Sequence, residues 1–323
     1  MLFPECAPAS DRLIGIAKLA AQSPTIEAKR RVDYRELESK SYIARCTSPR
    51  MPFRYMINPY RGCEFGCKYC YARSTHEFME LRDPSDFETR IYAKAFPTEA
   101  FRQELRAVGR GESIALGTAT DPYQPAERRF QHTRRILEVF ARERGFQLSI
   151  TTKSDLIARD ADLLREIAAR NSVIVNMTVT TTDAALARAI EPYAPRPDLR
   201  LMAVAKLAGA AINTGVFASP LMPAINDAPS AVFAVAQAAR QAGAVRFGGR
   251  ILYLQPMPRE VFLPFVHQRF PALAPMYEKL FARDVYIKGV YGDQMRELIH
   301  SAGATFGFPN TMPLIEDDQL ALF

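Results

Sequence analysis

Asn58-Pro-Tyr-Arg-Gly-Cys-Glu-Phe-Gly-Cys-Lys-Tyr-Cys-Tyr-Ala-Arg73 is the stretch from which the rest of the chain can be read. Three of the five cysteines fall in it, Cys63, Cys67 and Cys70, spaced C-x3-C-x2-C. Gly62 and Gly66 let the backbone between them fold sharply, so the three sulfurs can converge on one metal centre. Iron–sulfur clusters are held by cysteine thiolates, usually four. Three grouped thiolates on a four-iron cube leave one iron open to a ligand that is not protein. Zinc in a Cys3His site with Cys63, Cys67, Cys70 and His76 is the alternative, although zinc ligands more often come as two separated pairs. A disulfide framework suits neither the length of the chain nor its few, odd-numbered cysteines.

Outward from this loop, the pattern alternates short apolar runs with amphipathic stretches. Strands are predicted at 55–58, 113–117, 147–151, 173–179, 211–218 and 245–254. Helices are predicted at 98–108, 131–144, 160–170, 183–190, 198–209 and 229–242. Six strands, each followed by helix, mean a parallel sheet, open or closed. Residues 1–50 read as a polar, basic lead-in with a short helix near 10–21, and Cys6 and Cys46 as isolated thiols. Beyond 255 come further helices at 258–268, 274–283 and 292–301, with His267 and His300 read as packing residues.

The C-x3-C-x-aromatic-C pattern resembles the signature of the radical S-adenosylmethionine (SAM) superfamily. The longer run from Asn58 to Arg73, with His76-Glu77 after it, is similar to a bacterial subfamily related to spore photoproduct lyase. The resemblance covers about residues 53–255. It implies a partial (β/α)6 TIM-type barrel with the cluster loop after the first strand, so the expected fold is α/β. The expected division is an N-terminal extension (1–50), a radical SAM core (51–255), a helical C-terminal region (256–308) and a tail (309–323). Its implied cofactors are a [4Fe–4S] cluster on Cys63, Cys67 and Cys70, and SAM on the open iron. Reductive cleavage of SAM would give a 5′-deoxyadenosyl radical that takes hydrogen from a substrate. Flavodoxin or ferredoxin would serve as electron donor.

Further residues are carried over position by position. Tyr69 matches the aromatic place beside adenine. Thr120 and Asp121 match a SAM-contacting segment, Lys153 a lysine that pairs with the SAM carboxylate, and Thr178 a hydroxyl residue of the same pocket. All follow predicted strands or end them, where barrels of this type carry their chemistry. The segment Ser219–Asp227 resembles a PxxPxxND stretch that shapes the adenine or substrate wall. One position departs. Spore photoproduct lyase has a hydrogen-donating cysteine two residues before the SAM-contacting hydroxyl, and this chain has Thr118 there. A threonine O–H bond is too strong for that role, which leaves Tyr71 and Tyr123 as nearby tyrosines.

Charge and termini add partners. The net charge is +7. Residues 27–61 hold nine Lys/Arg against four Asp/Glu, and Arg128, Arg129, Arg134 and Arg135 form a second cluster. Basic stripes beside a site favour a polyanion, so DNA is the expected substrate class, as a lesion or a base to be modified. A peptide or small metabolite is the alternative substrate. A non-catalytic, metal-stapled DNA-associated protein is the alternative class, and the missing fourth cysteine speaks against an electron carrier. The segment Gln319-Leu-Ala-Leu-Phe323 resembles the QLxLF peptide that binds the bacterial DNA sliding clamp as an extended anchor. No leader pattern opens the sequence and no apolar run spans a bilayer, so a cytoplasmic protein is expected.

Overall fold

The computed structural model describes residues 14–23, 25–29, 32–49 and 51–309. Cys6 and the Gln319–Phe323 motif lie outside them. In chain order the strands are β1 (Thr25–Lys29), β2 (Val32–Leu37), β3 (Ile43–Arg45), β4 (Tyr55–Ile57), β5 (Tyr60–Arg61) and β6 (Arg90–Lys94). They continue with β7 (Ser113–Leu116), β8 (Gln147–Thr152), β9 (Ser172–Thr178), β10 (Asn213–Leu221) and β11 (Arg246–Ile251).

One sheet runs β11-β10-β9-β8-β7-β4-β3. Its six strands from β4 to β11 are parallel, and β3 adds to β4 antiparallel at the edge. The parallel strands are short and most carry a run of buried apolar residues, as strands covered by helices do. Ile114, Leu116, Ile150, Val175, Met177 and Val216 sit at 0–1% exposure in one core. Helices connect the strands, among them Thr98–Val108, His132–Arg142, Pro197–Gly209 and Pro229–Gln241. Pro197 and Pro229 open their helices where a missing N–H costs nothing. Asp183 caps Ala184–Ile190 by accepting from the amides of Ala185 and Leu186. This is the partial (β/α)6 barrel expected, with all six predicted strands in place.

The stretch read as a polar lead-in is different. It contributes β1, β2 and β3, besides a helix at Gly15–Gln22. A second sheet runs β1-β2-β6-β5. Its strands hide from a sequence reading because charged residues interrupt the apolar ones, although Leu37 and Tyr92 pack with Ala20 and Met79 on one side of the sheet. Tyr34, Ile91, Ala93 and Tyr60 are buried together, while Arg35, Arg90, Lys94 and Arg61 alternate with them. The helix Val290–Thr305 packs against β11 and Pro229–Gln241, at the end of the barrel sheet.

Candidate functional site

The chain leaves β4, makes the two-residue β5, and enters the cysteine loop. Gly62 has φ +80°, and a Cβ there would stand 2.7 Å from the Arg90 carbonyl oxygen and 2.9 Å from that of Phe87. Only glycine allows the loop to lie so close to β6 and its approach. The Cys63 amide donates to Phe87 O at 2.8 Å. Gln124 holds the loop from the barrel side, accepting from the Glu64 amide at 3.0 Å and donating to Gly62 O at 2.9 Å. From β2, the Tyr34 hydroxyl donates to Glu64 at 2.8 Å. The loop is also stitched to the segment after β9: Lys68 N donates to Ile190 O at 2.9 Å and Tyr193 N to Phe65 O at 3.3 Å.

Within this frame Cys63 and Cys67 are buried and Cys70 is partly so, and none is in a disulfide. Burial pushes all three thiols up, Cys67 to about 12, and each feels its neighbours' charge. Lys153, at the end of β8, opposes this: its ammonium acts on Cys67 and Cys70 and lies 5.7 Å from the centre of the Tyr69 ring. Three buried sulfurs with no disulfide among them make a donor set short of positive charge, which suits a metal centre. Among the described residues no three His, Cys, Asp or Glu side chains are close enough to share one metal ion. A cube asks only that each sulfur reach a different iron. His76 does not join them as a zinc ligand would. Its ring packs on Phe87 and Tyr92 with centroids 5.1 and 6.3 Å away, and its Nε2 faces the Arg90 carbonyl at 3.4 Å. Burial holds it neutral, with a pKa of about 3.

The other expected residues gather at the same ends of the strands. Thr120 is buried and its Oγ1 has no partner. Asp121 is fully engaged by its own chain, accepting from Thr152 Oγ1 and Lys153 N at 2.6 Å and from Tyr123 N at 2.9 Å. It joins the loops after β7 and β8. Gly117, φ +88°, permits that approach, since a Cβ would meet Thr151 O at 2.6 Å. Thr178 is buried at the end of β9. Of the two nearby tyrosines, Tyr71 stands at the thiols: Cys70 helps burial to push its hydroxyl to about 12, and that hydroxyl donates to Thr118 O. Tyr123 lies instead in the barrel core. Thr118 itself accepts from Asn58 Nδ2 at 3.0 Å. Cys46 lies apart, with its sulfur 4.0 Å from Ser48 O.

A buried polar group escapes the sequence reading. The Tyr69 hydroxyl donates to Glu191, which also accepts from Thr180 Oγ1 at 2.7 Å and pairs with Arg200 at 2.5 Å. Glu191 and Arg200 are 1% exposed, yet Arg200 holds the carboxyl below its usual range against burial. Arg73, 0% exposed, likewise binds Cys67 O, Pro84 O and Glu88. Nothing in the spacing of these residues announces them. A charged residue within an otherwise apolar stretch, as Arg200 is before Leu201-Met-Ala-Val204, was the one available sign.

A parallel half-barrel with a three-thiol loop at the head of its first parallel strand defines a class, and comparison with known proteins gives it a name. Residues 57–233 match the model of the radical SAM superfamily, and the chain belongs to that superfamily. Its cofactors are a [4Fe–4S] cluster and SAM. An uncharacterised protein of Mycobacterium tuberculosis is 33% identical over 273 residues, 83% of this chain and 79% of that protein. One of Methanocaldococcus jannaschii is 31% identical over 174 residues, 54% of this chain and 62% of the other. Among solved structures, spore photoproduct lyase complexed with dinucleoside spore photoproduct superposes with a TM-score of 0.65 at 12% identity, covering 93% and 87% of the two chains. A variant of that lyase with bound AdoMet and the same dinucleoside gives 0.64 at 13% identity, with the same coverage. At such identities the likeness is one of fold. Among the described residues no helix is long and apolar enough to cross a membrane.

Proposed function

We propose that this chain uses Cys63, Cys67 and Cys70 to hold a [4Fe–4S] cluster and cleaves SAM reductively, and that DNA, as a lesion or a base to be modified, is its substrate. When bound, the reduced cluster and SAM supply a 5′-deoxyadenosyl radical that abstracts hydrogen. The observation that carries the reading is the gathering of Cys63, Cys67 and Cys70 in one enclosed loop, with Lys153 acting on Cys67 and Cys70. Lys153 would pair with the SAM carboxylate, and the unpartnered Thr120 hydroxyl would offer SAM a hydrogen bond. Thr178 lines the same pocket, and Tyr69 is fixed by Glu191 for contact with adenine. Asp121 serves indirectly by holding the loops of Thr120 and Lys153 together.

Thr118 cannot return hydrogen to a product radical, so Tyr71 is the donor candidate within the chain. DNA is favoured over a peptide or metabolite by the basic segment 27–61 and by the dinucleoside bound to the lyase of like fold. Flavodoxin or ferredoxin supplies the electron, and the cytoplasm suits such a cluster. Gln319–Phe323 anchors the chain to the DNA sliding clamp, which Phe323→Ala would abolish in a binding assay with purified clamp.

Anaerobic reconstitution with iron and sulfide, then dithionite and SAM, tests the chemistry. The expected product is 5′-deoxyadenosine, absent with Cys70→Ala and increased by lesion-bearing DNA. A loaded four-iron cluster that yields none, even with DNA, would move the assignment to a non-catalytic DNA-associated protein.

A further inference from the structure

Tyr69 is held from outside its own loop. Its hydroxyl donates to Glu191, which also accepts from Thr180 Oγ1 at 2.7 Å. Behind Glu191 stands Arg200, whose guanidinium reaches in three directions. One arm pairs with Glu191 at 2.5 Å, Nη1 donates to Thr178 O at 3.1 Å, and Nε donates to Pro195 O at 2.7 Å. Thr178 closes β9, so its carbonyl lies at the end of that strand. The Lys153 ammonium stands over the Tyr69 ring, 5.7 Å from its centre. One buried network therefore touches Tyr69, Lys153 and Thr178. These three come from the cysteine loop, the end of β8 and the end of β9, and all three are expected to hold SAM.

Stability alone does not account for the ion pair. Glu191 and Arg200 are each 1% exposed. Taking two opposite charges out of water costs about as much as their attraction returns, and apolar side chains of like volume often serve as well. What such a pair adds is direction. A guanidinium fork fixes several acceptors at set angles, and the carboxylate between Thr180 and Tyr69 fixes two hydroxyls. A phenylalanine at 69 would fill the same space with one end of its ring untied. Cys67 feels Glu191 and Arg200 in opposite senses, so the pair can hold the ring while placing little net charge beside the thiols.

We propose that Glu191 and Arg200 are positioning residues that tie the Tyr69 ring of the cysteine loop to the end of β9, and so set the affinity of the chain for SAM. Neither residue need touch SAM. Arg200 fixes the backbone at Thr178 and the carboxylate of Glu191, and Glu191 fixes the angle at which Tyr69 is presented. The proposal deepens the reading of the SAM pocket and rests on the placing of SAM beside Tyr69, Lys153 and Thr178.

The test uses the full, reconstituted chain, with SAM binding by anaerobic calorimetry and iron content and Tm measured on the same samples. Tyr69→Phe keeps the ring and removes its tie. Arg200→Lys keeps a positive charge for Glu191 and removes the fork that reaches Thr178 O. Each should raise the SAM dissociation constant about tenfold, the scale on which losing the outer partner of a binding residue acts, with iron per chain unchanged. Because both act through one linkage, the double variant should bind little worse than either single one. Independent effects would instead multiply to about a hundredfold, and that result overturns the linkage. Variants that bind SAM as wild type does overturn it as well, and so does weakened binding that merely follows lost iron or a lowered Tm. If Arg200→Lys fails to fold, Glu191→Gln takes its place in the same cycle. A wild type that loads iron yet binds no SAM refutes the pocket itself, whereas a wild type that binds SAM no better than its variants refutes this proposal alone.

Discussion

The two sheets divide the work unequally. The barrel sheet is buried on both sides, and its strands carry few charges: SIAL, SVIVNMT and NTGVFASPL. The four-stranded sheet sets charged residues among apolar ones, in VDYREL and RIYAK, and packs Tyr34 and Ile91 on one side and Leu37 and Tyr92 on the other. The first is a scaffold whose strand ends carry Lys153, Thr120 and Thr178. The second backs the cysteine loop through Gly62, Cys63 and Glu64. Stability and loop shape are therefore set in different places, and mutations should separate them.

The largest effect should come from the barrel. Ile150→Ala removes a fully buried side chain and should cost roughly 2–5 kcal/mol of unfolding free energy, with iron content per folded chain unchanged. Loss of iron in the folded variant would dissolve the distinction between the sheets. Gly62→Ala should act the other way round. Positive φ and the 2.7 Å approach to Arg90 O cost about 2–3 kcal/mol together, and iron loading should fall with the misplaced Cys63. A fully loaded Gly62→Ala protein would mean that the four-stranded sheet does not shape the loop.

Acid should find the second sheet first. His76 contacts Tyr92 of β6, and His132 contacts Tyr60 of β5 at 5.6 Å between rings. Burial lowers their pKa values to about 3 and about 4. A depressed folded value means that the unfolded chain takes up the proton first. The stability each supplies is complete above its unfolded pKa near 6.5 and is lost as pH falls towards the folded value. Protection against hydrogen exchange, referred to the intrinsic rate at each pH, should therefore fall in residues 90–94 before residues 172–178 as pH drops from 7 to 5. His76→Phe, which keeps the ring contacts, should reduce that difference. An equal fall of protection in both segments would refute it. The smallest effect belongs to Tyr34→Phe, which deletes the donor to Glu64. It should lower stability by about 1 kcal/mol in denaturant titration, with iron taken up more slowly than by wild type.

What could be read from the sequence follows the same division. Continuous apolar runs such as Val173-Ile-Val175 announce a strand whichever residues surround it, so the barrel was legible throughout. The cysteine spacing was local and equally clear. Arg90-Ile-Tyr-Ala-Lys94 alternates, but one half of the alternation is charged and its partner strand β2 lies more than fifty residues away in sequence. Glu191 and Arg200 answer Tyr69 across a longer gap still, and no short-range pattern encodes such a pairing. Asp121 was visible as a residue of the SAM segment. Its bonds to Thr152, Lys153 and Tyr123 were not, because they depend on how two strand ends are brought together.

The stitching of the cysteine loop to Ile190 and Tyr193 has a consequence for maturation. Those two backbone bonds join residues made early in synthesis to residues made more than a hundred positions later. Until the segment after β9 has emerged and docked, Phe65 O and Lys68 N lack their partners and the three cysteines lack their enclosure. Cluster delivery is thereby placed late in the life of the nascent chain. A fragment ending before Ile190 should be a poor acceptor for iron and sulfide, although it contains every cysteine of the motif.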